Sequence, residues 1–595
     1  MRKIIVTSLI LSFCFQIYAI DPLKKIKKVA DKIIEQTQFD FQLELASTNQ
    51  YFDFIEVLNF GQTFGDQSAI AFAYTEIKSP VAQKIAIQLS HSDGLMVMLN
   101  GEIVYEKTGE RAAKVVRGER AMEFDFEFPI QLKKGTNSLL IKSQNDGEGE
   151  WAVFLQPSGS LVFDERGTEN KPLIGFRGHP LITQPVAELS NWLMLGSFKG
   201  GDLVQEIGPE NDGLKVGKVY EENGKTFSWT LPKLNLLGNV MNRHPLWGGY
   251  LNYNYHTGGV AWAMMHLGEI TKESRYDEYA KKYTDFHLNT KPFVKHQVYD
   301  LYGFRSANHH LFETPLLDFT LAPSLPYIYR LLRNKDFDNR KAYETWVKRM
   351  NEYAIKEQIR SPEGHFWRYT PKEYTTWTDD MFMGLPYLMH MAELTTDKKL
   401  KKQLYDDASS QVFAFNDQTW NEQDQLYQHA QYSEEPVKMP YWTRANGWGI
   451  WATTEVLLRL PKEHKNYKKI LNHFQQHVAS VVKYQNERGF WYNVIDQPES
   501  NDETSGTAIL ILAIARGLNE GWLDDKYRTN AIKGWEALES IIEEDGTVHG
   551  ICMGTMCSQD LDYYYNRPIL DDDSHGILGL IFAGIEMERL VKSSK

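Results

Sequence analysis

The stretch "TTWTDDMFMGLPYLMHMAEL", Thr375 to Leu394, sets two adjacent carboxylates, Asp379 and Asp380, at the head of an apolar run with helical spacing. A carboxyl group at the start of a buried helix either caps it or is kept there to move a proton. The arrangement recurs. After about residue 236, six segments each begin with a polar or glycine-containing head, continue as an apolar stripe, and often turn into a second amphipathic helix. Their heads are His256, Asp318, Asp379, Arg444, Ser505 and His575, at successive spacings of 62, 61, 65, 61 and 70 residues. Trp247, Trp377, Trp442 and Trp448 stand beside them. Indole faces stack on pyranose rings, carboxylates transfer protons and a guanidinium pairs with an acidic sugar, so heads brought together would line a sugar-binding cleft.

Helical hairpins repeated at this length build either an open solenoid or a closed (α/α)6 toroid. In the toroid the apolar members form an inner ring and all six heads lie at one end of it. The chain ahead of the repeats has a different period. From about Phe41 to Leu161 apolar residues alternate in short runs, with the turn pairs Asn100-Gly101 and Lys134-Gly135 between them, which indicates antiparallel strands in a sandwich. The phrases "SDGLMVMLNGEIV" and "LKKGTNSLLIKSQNDGEGEWAVFL" resemble the galactose-binding-like jelly rolls attached to many polysaccharide-degrading enzymes. Such a domain either binds carbohydrate or buttresses its neighbour, and Trp151 reads as core rather than as a sugar platform. The expected division is a signal peptide over 1–19, a β-sandwich over 20–165, a connecting β-rich region over 166–235, and the helical toroid over 236–595.

Bulk properties narrow the function further. A chain of 595 residues exceeds what one core supports, so two or three domains are expected. A net charge of −13 argues against a nucleic-acid partner, whose phosphates call for a basic surface. The start "MRKIIVTSLILSFCFQIYAID" reads as a leader cleaved near Ala19, which places the mature protein in the periplasm or outside the cell, with no membrane span. Phe13 before Cys14 argues against a lipid anchor. Cleavage leaves Cys552 and Cys557, which form either one local bridge or two free thiols. The adjacent His309 and His310 point apart, and "DDDSHG" has no regular ligand spacing, so no metal is expected. Without a phosphate loop, nucleophile elbow or nucleotide fingerprint, no cofactor is expected either.

The pieces "WTDDMFMGLPYL", "LYQHAQ", "YWTRANGWGIWA", "GFWYNVID", "ETSGTAI" and "DDDSHG" follow one another in an order and spacing that resemble glycoside hydrolase family 105, the unsaturated rhamnogalacturonyl hydrolases and their relatives, with family 88 more distant. The resemblance runs from about Trp247 to the C-terminus. It implies an (α/α)6 barrel that removes the 4,5-unsaturated uronic acid left at a non-reducing end by a polysaccharide lyase. It also implies a mechanism in which one acid protonates C4 of an enol ether while water adds at C5. By the same resemblance Asp379 is the general acid/base, Asp318 the second active-site aspartate and His429 the active-site histidine. Arg444 and Trp448 belong to the substrate site, where Ala445 replaces the family's usual glycine. Asp380 is left as a helix cap or a supporting charge. From the repeat heads and their neighbours, His256, Trp377, Trp442, Ser505 and His575 complete the substrate-binding set. The expected partner is an oligosaccharide with a terminal unsaturated uronate, of rhamnogalacturonan or ulvan type. The competing readings are a saturated uronidase or a lyase on the same fold, or a carbohydrate-binding protein without activity.

Overall fold

The computed structural model describes residues 21–45, 56–158 with short gaps, short strands between 174 and 237, and 249–593 apart from 296–307, 313–315 and a few isolated positions. The leader and Trp247 lie outside the described residues.

Twelve helices among the described residues make a closed double ring. They are α1 (Pro22–Gln36), α2 (Tyr255–Thr271), α3 (Ser274–Lys295), α4 (Leu325–Arg333), α5 (Arg340–Lys356), α6 (Asp379–Leu394), α7 (Lys398–Thr419), α8 (Thr443–Arg459), α9 (Tyr467–Val481), α10 (Thr504–Asn519), α11 (Arg528–Ser540) and α12 (Ser574–Lys592). The even-numbered members pack side by side, α2 on α4, α4 on α6, and so on to α12, which closes back on α2. A helix that is apolar all round must be buried all round. Residues 504–517 of α10 and 443–457 of α8 meet that condition, every one of them buried. Close approach has its own requirement: a Cβ on Gly506 would lie 2.6 Å from Thr443 Cγ2, so α10 meets α8 only through a glycine. The heads are tied down by their own side chains. Asn254, Glu503 and Asp573 accept from backbone N–H groups in the first turns of α2, α10 and α12, satisfying donors that a helix start leaves open.

The outer ring corrects the expected boundary at residue 20. The segment predicted as the start of the sandwich is helix α1, and it packs on α12 and α3 as the outer partner that the sixth repeat lacks. Asp21 caps it, Pro22 opens it, and Ile26, Val29, Ala30 and Ile33 form its buried face. Its lysines reach both neighbours of the gap: Lys32 Nζ lies 3.0 Å from Asp572 Oδ2, and Lys27 Nζ lies 2.6 Å from Glu273 Oε1.

The sandwich lies between α1 and α2 in sequence. One antiparallel sheet runs in the order Glu188–Leu189, Ala69–Ser79, Gly135–Asn145, Leu95–Leu99, Glu102–Lys107, with Leu193–Phe198 also paired to Ala69–Ser79. The other runs Glu56–Asn59, Ala152–Ser158, Gln83–His91, Phe126–Leu132. Asn100 and Gly101 both take positive φ, 52° and 88°, as the tight hairpin between the third pair of strands demands. Trp151 is fully buried in the core, stacked on Phe60 with its Nε1 donating to Ser143 Oγ at 3.0 Å, so it is no sugar platform. The chain enters and leaves this domain through one antiparallel pair, Asp40–Leu45 with Pro232–Leu237.

Candidate active site

The heads of the inner ring converge on one recess, with about 480 Å³ of empty space open to solvent. Its walls are Asn254, Tyr255, Asp318, Arg368, Trp377, Asp379, Met383, Trp442, Gly554, Thr555, Met556 and His575.

Asp379 is the first residue of α6 and only 8% exposed. Just before it, Thr375–Trp377 pairs antiparallel with Ala430–Tyr432, and Thr378 N donates to the His429 carbonyl at 3.1 Å. That pairing carries His429 to the carboxylate: its Nε2 lies 3.5 Å from Asp379 Oδ2. The other side of the ring is held by Tyr564, whose hydroxyl lies 2.7 Å from Nδ1.

Arg368 organises the remaining charge. Its Nη2 lies 2.8 Å from Asp318 Oδ1 and 2.7 Å from Asp380 Oδ1, and its Nε lies 2.7 Å from Asp380 Oδ2. The guanidinium also sits over the Trp377 ring at 4.8 Å. Two of the three carboxylates thus share one cation, and Asp379 is left out. Burial, opposed by Arg368 and reinforced by the charges of Asp318 and Asp380, pushes the Asp379 carboxyl up to about 7. Burial, reinforced by Arg444 and Arg368, holds the His429 imidazole well below its ordinary value, so it is neutral. A carboxyl group that titrates near neutrality can both donate a proton and take one back.

The opposite wall is built on α12. The His575 ring stacks on His256 at 4.3 Å, and its Nδ1 hydrogen-bonds Asp573 Oδ1. A Cβ on Gly554 would lie 3.2 Å from His575 Nε2, so glycine lets the loop at 552–556 lie against the ring.

Five of the ten residues singled out in the sequence line the recess: Asp318, Asp379, Trp377, Trp442 and His575. His429 stands directly behind Asp379. His256 lies behind His575 with its Nδ1 2.6 Å from Ser574 Oγ, so it supports the wall. Three expectations of direct substrate contact are corrected. Arg444 is fully buried, with Nη1 donating to Ser505 Oγ at 2.8 Å and to the Cys552 carbonyl at 2.5 Å, and Nη2 to the Met553 carbonyl at 2.8 Å. It fixes the loop that lines the recess instead of facing a ligand. Ser505 donates to Glu503 Oε1 at 2.6 Å as part of the same tie. Trp448, one turn further along α8, stacks on Phe382 at 4.7 Å inside the ring. Trp448 lies more than a turn below the mouth, whereas Arg444 and Ser505, each second in its helix, are turned into the bonds that tie them to each other and to the 552–556 loop. Asp380 is the supporting charge, bound to Arg368.

The sequence reading missed Arg368, Asn254, Tyr255 and the loop Gly554–Met556. Arg368 lies in an irregular hairpin where no periodicity marks it, although "FWRYT" just before "WTDD" offered an arginine among aromatics. Asn254 and Tyr255 were two and one residues away from the chosen head, His256, which lies behind His575. Cys552 and Cys557 are both free and buried, and burial pushes the Cys557 thiol up to about 12. No helix among the described residues is long and apolar enough to cross a membrane.

The comparisons with known proteins bear on the same part of the chain. An unsaturated 3S-rhamnoglycuronyl hydrolase of Formosa agariphila is 28% identical over 185 residues, 29% of this chain and 48% of that protein. Its namesake from Alteromonas sp. is 25% identical over 185 residues, covering 29% and 43%. The unsaturated rhamnogalacturonyl hydrolase YesR of Bacillus subtilis is 24% identical over 226 residues, 37% of this chain and 63% of that protein. The chain therefore spans less than two thirds of each of these relatives. A solved family 105 glycoside hydrolase from C. acetobutylicum is 20% identical, with a TM-score of 0.49, and the match covers 57% of this chain and 94% of that one. The model of Glycosyl Hydrolase Family 88 matches residues 238–591, every helix of the ring except α1, from before α2 into α12, and the chain belongs to that family.

Proposed function

We propose that the chain removes a 4,5-unsaturated uronic acid from the non-reducing end of oligosaccharides produced by a polysaccharide lyase. One observation carries this reading. Of the three aspartates at the recess, Asp318 and Asp380 are both bound to Arg368, and Asp379 alone keeps a carboxyl oxygen without a hydrogen-bond partner. Hydrolysis at an ordinary anomeric carbon needs two carboxyl groups with separate roles flanking the bond. An enol ether needs one. Asp379 gives its proton to C4, water adds at the cationic C5 and returns a proton to the Asp379 carboxylate, and the resulting hemiketal opens to release the next sugar. The edges of Trp377 and Trp442 line the recess that would receive the sugar ring. The names of the relatives, two rhamnoglycuronyl hydrolases and one rhamnogalacturonyl hydrolase, support rhamnose as the next sugar. Export through the N-terminal leader belongs to this reading, since lyase products arise where the polymer is.

The test is ultraviolet absorbance of the unsaturated uronide during incubation with lyase-digested rhamnogalacturonan and, separately, lyase-digested ulvan. The band decays with the protein and persists with Asp379→Asn. Persistence with the folded wild-type protein on both digests overturns the reading and favours a saturated uronidase or a binding role.

A further inference from the structure

We propose that Tyr564 is a positioning residue that fixes the tautomer of His429, so that the Nε2–H of the imidazole faces Asp379. This deepens the function proposed above and rests on it for its catalytic meaning, but the geometry stands by itself. The Tyr564 hydroxyl oxygen accepts from Ser558 N at 3.0 Å and lies 2.7 Å from His429 Nδ1. The phenol is buried, and its own proton has only that ring nitrogen within reach. Nδ1 must then accept. A neutral imidazole with an accepting Nδ1 carries its proton on Nε2, the nitrogen 3.5 Å from Asp379 Oδ2. Neither of those two atoms has a hydrogen-bond partner, so each is left to face the other.

The tyrosine is itself held from behind. Asn493 Nδ2 donates to the Tyr564 carbonyl at 2.9 Å, and Asn493 Oδ1 accepts from Trp442 Nε1 at 2.9 Å. The same side chain thus registers a recess wall, Trp442, and the segment that carries Tyr564. Charged and titratable groups acting on the Asp379–His429 pair are Arg368, Asp318, Asp380 and Arg444, and none of them reaches Nδ1. A donor at Nε2 favours the ionised carboxylate, the state Asp379 enters as it protonates C4. An imidazole flipped to the other tautomer would turn a lone pair toward that carboxylate.

The test is Tyr564→Phe in the full chain, read in two ways. With histidine nitrogens isotopically labelled, the neutral His429 of the wild type shows a protonated Nε2 and an unprotonated Nδ1, and the variant loses that preference. In kinetics on a lyase digest, the variant's kcat falls about tenfold, as expected for one hydrogen bond to a charged group. KM stays close to wild type, and the basic limb of the pH profile moves upward by up to about one pH unit, because losing a donor to the carboxylate raises the Asp379 pKa. Restoring nothing but packing, as phenylalanine does, would leave a purely structural role undisturbed. A variant that keeps the Nε2–H tautomer, or that loses rate with an unmoved pH profile, overturns the proposal. If the wild type is inactive on unsaturated uronides, the nitrogen spectra still decide the tautomer, and only the function reading fails.

Discussion

The two ends of the inner ring treat buried charge in opposite ways. At the mouth, Asp318 and Asp380 share the single guanidinium of Arg368, and Asp379 stands beside them without a bonded cation. At the far end, the helices finish in a network where cations are not scarce. Arg516 lies 2.6 Å from Glu455 and 2.9 Å from Glu586, Arg459 also binds Glu455, and Arg589 also binds Glu586. Burial alone would raise the Glu455 carboxyl, yet Arg516 and Arg459 hold it well below the usual range. Asp379, equally enclosed, is pushed up to about 7. The lesson is that enclosure does not set a carboxyl group's protonation; the count of cations within reach does. Abundant arginine locks the floor, and a single guanidinium among three carboxylates keeps a proton at the mouth.

That contrast can be broken at either end. The largest effect is expected from Asp379→Asn, which removes the unpaired acid and lowers kcat by about 10²–10⁴-fold while circular dichroism stays that of the wild type. Next, Arg516→Met removes the cation that two buried carboxylates share, leaves each with one arginine, and costs up to about 3–5 kcal/mol in chemical denaturation, with the pH dependence of the remaining activity unchanged. An altered pH profile there would mean that the two ends are coupled.

The third test uses stability at the mouth. Because the folded Asp379 titrates at about 7, above its unfolded value, its favourable contribution is complete below about pH 4 and is lost as pH rises through 7. Asp379→Asn should therefore be more stable than the wild type at pH 8, by on the order of 3 kcal/mol, with the difference vanishing near pH 4. Denaturant titrations at the two pH values check this. The smallest effect is that of Asp380→Asn. Removing a neighbouring negative charge lowers the Asp379 pKa, so the basic limb of the rate profile should move down, by less than about one pH unit.

The repeats, their spacing and the site end of the ring were legible in the sequence, because apolar inner helices and polar heads obey simple periodicities. Depth and direction were not. Arg444, Ser505 and Trp448 carry the right chemistry at the right repeat, but Trp448 lies more than a helical turn below the mouth, and Arg444 and Ser505 are turned into the bonds that hold the loop at 552–556. Nor was the partner of an irregular segment legible: Arg368 acquires its meaning only when a hairpin lays it between residues 50 positions upstream and 12 downstream. The helix at residues 22–36 is a different kind of miss. Asp21, Pro22 and the apolar set Ile26, Val29, Ala30 and Ile33 spell a capped amphipathic helix, hidden by lying just ahead of a strand-rich domain.

That helix also sets a timetable. It leaves the ribosome long before its main partner, α12. At roughly 5–20 residues per second, about half a minute to two minutes of synthesis separate them. Throughout that interval an apolar face waits for most of the surface that will cover it, and the ring stays open between α1 and α12. Helix α12 is thus the member that lets α1 dock, and a chain stopped short of α12 would lose both at once.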